Sequence, residues 1–187
     1  MRRLWMGTLV LLIGGCEDLK PGDTGAEGCE AAASGSGWPG NAEPITVGDV
    51  LSRDLSCGES VDLNWASDSS VACFPDTEFT NFDGKHQFFS YRQPENSLLT
   101  VFVEPDDGVD VSVYVIQSAG DRYEVPPDVT AAISCECAYD AQTDSNPGET
   151  EDVTVTATTN GYDVLIGVAG AGGQSSGGFK VSLSLQQ

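Results

Sequence analysis

Histidine is nearly missing from this chain of 187 residues: His86 is the one copy. Basic residues are scarce as well, eight against 29 acidic ones, for a formal net charge of -21. Each shortage excludes something. A Ser-His-Asp arrangement would have to use His86, which sits beside Lys85 at the start of an apparent strand, and no serine reads as a nucleophile elbow. One imidazole, with cysteines drawn into disulfides, leaves too few nitrogen and sulfur ligands for zinc. A strongly negative surface is repelled by nucleic-acid phosphates and by anionic lipid headgroups, which rules out DNA and RNA as partners. The glycine-rich stretch from Gly167 to Gly178 lacks a Gly-Lys-Ser/Thr ending and runs into a strand-like segment, so it reads as a mobile hairpin tip and not as a phosphate loop. Paired carboxylates for glycoside hydrolysis are no signal where acids are this numerous. The chain is not read as an enzyme.

Long apolar runs are also lacking, with one short exception at the start. Arg2 and Arg3 precede ten apolar-rich residues, Leu4 to Ile13. A membrane-crossing helix needs about 20 such residues, whereas a signal-peptide core is about this short. The small pair Gly14-Gly15 suits a cleavage site and is followed by Cys16. Ile13-Gly14-Gly15-Cys16 resembles the lipobox of bacterial lipoproteins. That resemblance implies diacylglycerol on the Cys16 thiol and cleavage that leaves Cys16 as the new N-terminus. Two or more acyl chains anchor stably where one holds only marginally. Residues 1–15 are thus a lipoprotein signal peptide. The remaining 172 residues keep all 29 acids and six of the eight bases, a net charge of -23. Such acidity keeps an exported protein soluble.

Residues 16–43 comprise the lipidated cysteine and a tether rich in Gly, Ala, Ser, Glu and Asp. Its apolar content is too low to offset chain entropy, so it is expected to be disordered. Trp38 is its one large aromatic side chain, a docking anchor or a residue that tucks against the following domain. From residue 44 to residue 187 the composition changes to runs of Val, Ile, Phe, Tyr and Thr separated by Gly, Pro, Asp and Asn. These 144 residues suit one domain. Asp110–Ile116 places Val111, Val113 and Val115 on one face, and Glu151–Thr158 does the same with Val153 and Val155. Asn160-Gly161 reads as a tight hairpin turn joining that strand to Tyr162–Val168. His86–Arg92, Ser97–Glu104 and Phe179–Leu185 complete the clearest strands. The pattern predicts an all-β fold, a single antiparallel β-sandwich of about eight or nine strands.

The order of these segments resembles the bacterial pre-peptidase C-terminal domain. The matching stretches are Ile45–Asp49, Phe82–Tyr91, Asp110–Val115, and the pair Gly161–Val168 and Gly177–Leu183 read as a closing strand, glycine loop and strand. The resemblance implies a jelly-roll-like sandwich. No peptidase segment precedes it in this chain, so it further implies an accessory domain alone on a lipid anchor. Calcium is the cofactor it suggests. The residues offer Glu104, Asp106, Asp107 and Asp110 as the first choice of oxygen ligands, with Asp76, Glu78 and Asp83 nearby in sequence. Phe79–Gly84 mimics the middle of an EF-hand loop but supplies no carboxylate at either end position. Tyr91, Tyr114, Tyr139, Trp65 and Phe74 are candidates for a sugar-binding platform or for the core.

Five cysteines remain once Cys16 carries lipid: Cys29, Cys57, Cys73, Cys135 and Cys137. Export favours disulfides, and an odd number leaves one thiol over. Cys57 with Cys73 closes a loop worth about 3 kcal/mol by the loop-entropy model. Cys29 is expected to pair with Cys135 or Cys137. On a strand, Cys135 and Cys137 would point to one face. The spacing is not the Cys-x-x-Cys of redox centres.

The sequence therefore describes a non-catalytic β-sandwich held by lipid in the bacterial cell envelope, at the outer membrane on its periplasmic or exposed side. Its expected partners are the membrane, through the anchor, and an envelope protein or glycan. Cys16→Ala is expected to abolish fatty-acid labelling and to move the protein from the membrane fraction to the soluble one. Undiminished labelling of the variant would refute the anchor.

Overall fold

The computed structural model describes Trp38 and residues 41–139 and 147–187. The leader, the lipidation site Cys16, Cys29 and most of the tether lie outside the described residues. Ten strands are present among the described residues: β1 (Glu43–Pro44), β2 (Val50–Asp54), β3 (Glu59–Ser60), β4 (Lys85–Gln93), β5 (Ser97–Pro105), β6 (Val111–Ser118), β7 (Ala132–Ala138), β8 (Glu151–Ala157), β9 (Tyr162–Gly170) and β10 (Gly178–Gln186). A short helix, α1 (Asn64–Asp68), and 3-10 turns at Leu55–Cys57 and Asp76–Asn81 complete the elements.

The strands form two sheets. One has the order β1-β4-β9-β6-β7, with β3 also on β4; the other is β2-β10-β5-β8. Only the β1–β4 ladder is parallel. This is the expected all-β sandwich. Val101, Val103, Val153, Val155, Val181 and Phe179 of the four-stranded sheet meet Phe89, Val113, Val115, Val164 and Ile166 of the larger one in a single core. The alternation in β8 is the imprint of that arrangement: Val153, Val155 and Ala157 are buried, while the threonines between them face solvent.

Three expectations fail, two of them about how strands are joined. β8 and β9 do not form a hairpin. β8 pairs with β5, whereas β9 pairs with β4 and β6, so the link through Asn160-Gly161 crosses from one sheet to the other. The reason lies in the residues of β9. Val164 to Gly170 is buried throughout, and such a run needs cover on both faces, which only an interior strand of the larger sheet receives. Gly161 is required by a close approach instead of by a turn, since a Cβ there would sit 2.8 Å from the Gln93 carbonyl oxygen.

The glycine stretch is likewise not a hairpin tip, because β9 and β10 belong to different sheets. It is also pinned. The Gly172 N–H donates to the Thr80 carbonyl at 2.7 Å and the Ala171 N–H to the Asp110 carbonyl at 3.1 Å. The Lys85 N–H donates to the Gln174 carbonyl at 3.0 Å, while the Gln174 side-chain oxygen accepts from the Asp110 N–H at 2.9 Å. Gly172 and Gly173 adopt φ of 59° and 75°, the left-handed region that this crossing uses. The proposed opening strand Ile45–Asp49 is a turn, closed by the Asp49 N–H donating to the Thr46 carbonyl at 3.1 Å.

Gly167 is the tightest point of the larger sheet. It lies opposite Tyr114 on one side and Phe88 on the other, and an added Cβ would meet Tyr114 Cζ at 2.2 Å. The Tyr114 ring occupies the space a side chain would need. Gly167→Ala should therefore destabilise the fold by about 1–3 kcal/mol, the usual cost of overpacking. Urea unfolding reads this as a lower midpoint at unchanged slope, and a midpoint equal to wild type would mean that the ring gives way freely.

Candidate functional site

The larger sheet has a second buried face. Phe88 from β4, Tyr114 and Ile116 from β6, Cys135 from β7, and Leu165 and Ala169 from β9 form it together with Leu63, Trp65, Phe74 and Phe82. The last four belong to the stretch from Val61 to Phe82, which folds over the sheet. Ser67 Oγ donates to Asp76 Oδ1 at 2.5 Å, fastening α1 to the 3-10 turn that follows. Phe74 stacks on Phe82 with centroids 4.1 Å apart and meets Trp65 edge-on at 5.8 Å. Trp38 tucks against this layer, 5.9 Å from Trp65 and 5.5 Å from Phe88. Of the proposed sugar platform, Trp65, Phe74 and Tyr114 are buried. Tyr139 packs edge-on to Phe82 at 5.4 Å, and Tyr91 packs against the first core.

His86 lies under this cover. Its Nε2 is 2.7 Å from the Phe82 carbonyl oxygen, which only accepts, so Nε2 carries the proton. Nδ1 then accepts from the Tyr114 hydroxyl at 3.1 Å. Burial lowers the imidazole pKa to about 4, with the Phe82 hydrogen bond opposing. Burial, with the nearby Cys135 and Cys73 thiols, raises the Tyr114 phenol well above its usual range. Both groups are thus neutral, and both are inside the protein.

Cys57 and Cys73 do not pair. Cys73, Cys135 and Cys137 are free thiols, while Cys57 is disulfide-bonded. Loop length suggested the pairing, but Cys73 sits on the covering stretch and points at the sheet, with its Sγ 2.8 Å from Cys135 Sγ. Cys135 and Cys137 share a face of β7, as the strand geometry predicts, opposite Ile116 and Tyr114. Burial first, then hydrogen bonding to Cys135 and Cys137, pushes the Cys73 thiol far above its ordinary pKa.

The calcium reading is not supported by this geometry. Among the described residues no group of three or more His, Cys, Asp or Glu side chains is placed to hold a metal ion. Glu104, Asp106 and Asp107 are exposed, and the chain from Asp106 to Val109 is a turn closed by the Val109 N–H donating to the Asp106 carbonyl at 2.9 Å. Asp110 serves the glycine crossing through its backbone. The other acids fasten local structure: Asp76 accepts from Ser67, Glu78 from Asn81 Nδ2 at 2.9 Å, and Asp83 from the Gly173 N–H at 2.5 Å. Against the expectation that no serine lies in a Gly-x-Ser-x-Gly run, Gly173–Gly177 spells it at Ser175. The run leads into β10 and not into a helix, so no strand-to-helix turn raises that serine.

Sequence reasoning missed the covering stretch and the His86–Tyr114 pair. One signal was present: β6 is buried at every position, and its alternate residues Tyr114 and Ile116 required a second layer. A stability dependence on pH follows. The unfolded imidazole titrates near 6.5 and the folded one near 4. Between these values the unfolded chain binds a proton that the folded chain does not, so the contribution is complete above pH 6.5 and is lost as pH falls toward 4. The loss amounts to roughly 3 kcal/mol. His86→Gln should lack that part of the pH dependence when unfolding is compared at pH 7 and pH 4.5. An identical slope in both proteins would count against a neutral buried His86.

No protein-family model matches this chain, and no curated protein matches it. Solved structures similar to it include these two. One is the pre-peptidase C-terminal domain of collagenase from Bacillus anthracis, at 10% identity, covering 78% of this chain and 97% of that one with a TM-score of 0.41. The other is CorA, a surface-associated copper-binding protein important in copper acquisition in Methylomicrobium album BG8, at 10% identity, covering 78% and 98% of the two chains with a TM-score of 0.44.

Proposed function

We propose that this protein is a non-catalytic β-sandwich held by lipid at Cys16 in the bacterial cell envelope, at the outer membrane, where it serves structure or adhesion by binding an envelope protein or glycan. The observation that carries the non-catalytic half is the state of His86. The one imidazole of the chain is buried, neutral, and engaged at both nitrogens by Phe82 and Tyr114. It is closed to a substrate and unavailable as a general base. The anchored half rests on the leader and on the Ile13–Cys16 segment, and the accessory role on the order of strands that resembles the pre-peptidase domain. Dense surface acidity favours a partner with a basic face, since opposite fields speed encounter.

The test uses the purified whole chain, immobilised and exposed to isolated envelope proteins and to envelope glycans across a range of salt. Retention that weakens with salt is expected for a basic protein, and retention insensitive to salt for a glycan. The same preparation is expected to leave ester, peptide and glycoside substrates unchanged. Turnover that tracks the folded protein and survives His86→Gln would overturn the proposal in favour of carboxylate catalysis.

A further inference from the structure

Three thiols meet where the covering stretch touches the last strand of the larger sheet. Cys73 comes from the cover; Cys135 and Cys137 come from one face of β7. Cys73 Sγ is 2.8 Å from Cys135 Sγ across 62 residues of chain, and Cys137 follows two residues on along the same face of β7. Two explanations compete for such a trio. Ligands of one zinc ion, each about 2.3 Å from the metal, keep their sulfurs well over 3 Å apart. The Cys73–Cys135 contact is closer than that, and no metal-holding group occurs among the described residues. Bond formation between sulfurs suits the contact better.

We propose that these cysteines are a thiol–disulfide exchange site, in which oxidation joins Cys73 to Cys135 and Cys137 acts as the entry thiol. Cys135 is buried, whereas Cys73 and Cys137 are both half-buried, and Cys137 lies on the edge strand. The co-reactant is an external disulfide of the glutathione or dithiol-oxidant class. Cys137, deprotonated, attacks one of its sulfurs, breaking the external S–S bond and releasing one thiol. Cys73 then attacks Cys137 Sγ as its proton passes to the departing external sulfur, which leaves as the second external thiol, and a Cys73–Cys137 bond forms. Attack by Cys135 on Cys73 moves the bond to Cys73–Cys135 and returns Cys137 as a thiol, each departing thiolate taking up a proton. The balance is two hydrogens lost by the protein and one external disulfide reduced to two thiols. The result staples the cover, with Trp65, Phe74 and Phe82, to the sheet that it shields.

The experiment oxidises the reduced whole chain with glutathione disulfide, blocks remaining thiols, and maps linked peptides by mass spectrometry. The expected product joins the Cys73 peptide to the one holding Cys135 and Cys137, and fragmentation places the bond at Cys135. Cys137→Ser should form the same bond more slowly, and Cys135→Ser should capture Cys73 on Cys137. Closing a loop of this length should raise the thermal midpoint by roughly 10 °C, reversibly with reductant. The proposal is overturned if Cys73 stays alkylatable after oxidation, or if it is linked to a cysteine outside the trio. It is equally overturned if the three thiols are protected by a bound metal that a chelator releases. Oxidation of Cys137→Ser at the wild-type rate overturns the entry role.

Discussion

Two interior strands of the larger sheet are buried on both faces, and most of what is distinctive in this structure answers that constraint. In β6 every residue from Val111 to Ser118 is buried, and in β9 every residue from Val164 to Gly170. The inward set, Val111, Val113, Val115, Val164, Ile166 and Val168, is covered by the opposing sheet. The outward set, including Tyr114, Ile116, Leu165 and Ala169, would otherwise be an exposed apolar patch of the kind that promotes association. The stretch carrying Trp65, Phe74 and Phe82 closes it. Sheet, sandwich partner and cover are therefore three layers, and the middle one makes the other two necessary.

Burial on both faces also dictates how polar groups are handled, because an unpartnered polar atom inside costs about 1–3 kcal/mol. His86 and Tyr114 answer each other beneath the cover. At the other end of the sheet, Gln117 Nε2 donates to Gln93 Oε1 at 2.7 Å, and Ser134 Oγ donates to Gln117 Oε1 at 2.6 Å. Gln93 Nε2 in turn reaches the Val155 carbonyl at 3.1 Å, joining the two sheets. Among the described residues, Trp65 Nε1 and Ser112 Oγ are the buried side-chain atoms left without a protein partner. The thiols fit the same logic, since sulfur tolerates an apolar site that a charged group would not.

How much of this could be read in the sequence depended on whether the signal was local. β5, β6, β8, β9 and β10 announce themselves by alternation or by β-branched runs, and their observed limits lie within about two residues of those read from the pattern. Pairing was less legible. Asn160-Gly161 has the composition of a hairpin turn, yet the unbroken apolar run that follows it argues for an interior strand, and burial outweighed turn chemistry. The covering stretch escaped because it has no period: Leu63, Trp65, Phe74, Phe79 and Phe82 sit in a five-residue helix, a 3-10 turn and irregular chain. The thiol trio was half visible. Strand geometry placed Cys135 and Cys137 on one face, but only the fold of the cover brings Cys73 to them.

The acids, so prominent in the composition, turn out to have local work at the surface. Asp49 accepts from Thr46, Asp54 from the Ser56 N–H, and Asp62 from the Asn64 N–H, each closing a turn through a short side chain that reaches nearby backbone. The Ser56 hydrogen bonds hold the Asp54 carboxyl below its ordinary pKa. Three of the described bases are engaged as well: Arg53 with Glu43, Arg92 with Asp163, and Lys85 Nζ with the Ser56 carbonyl at 3.2 Å. With 29 acidic residues against eight basic ones, most of the negative charge is not offset by positive charge. The field it generates points outward, where salt screens it beyond about 8–10 Å. Chemistry and charge are thus separated in this fold, with imidazole, phenol and thiols under the aromatic cover and carboxylates at the rim. Many of the carboxylates meet solvent at the rim, and the thiols lie where the cover touches the sheet.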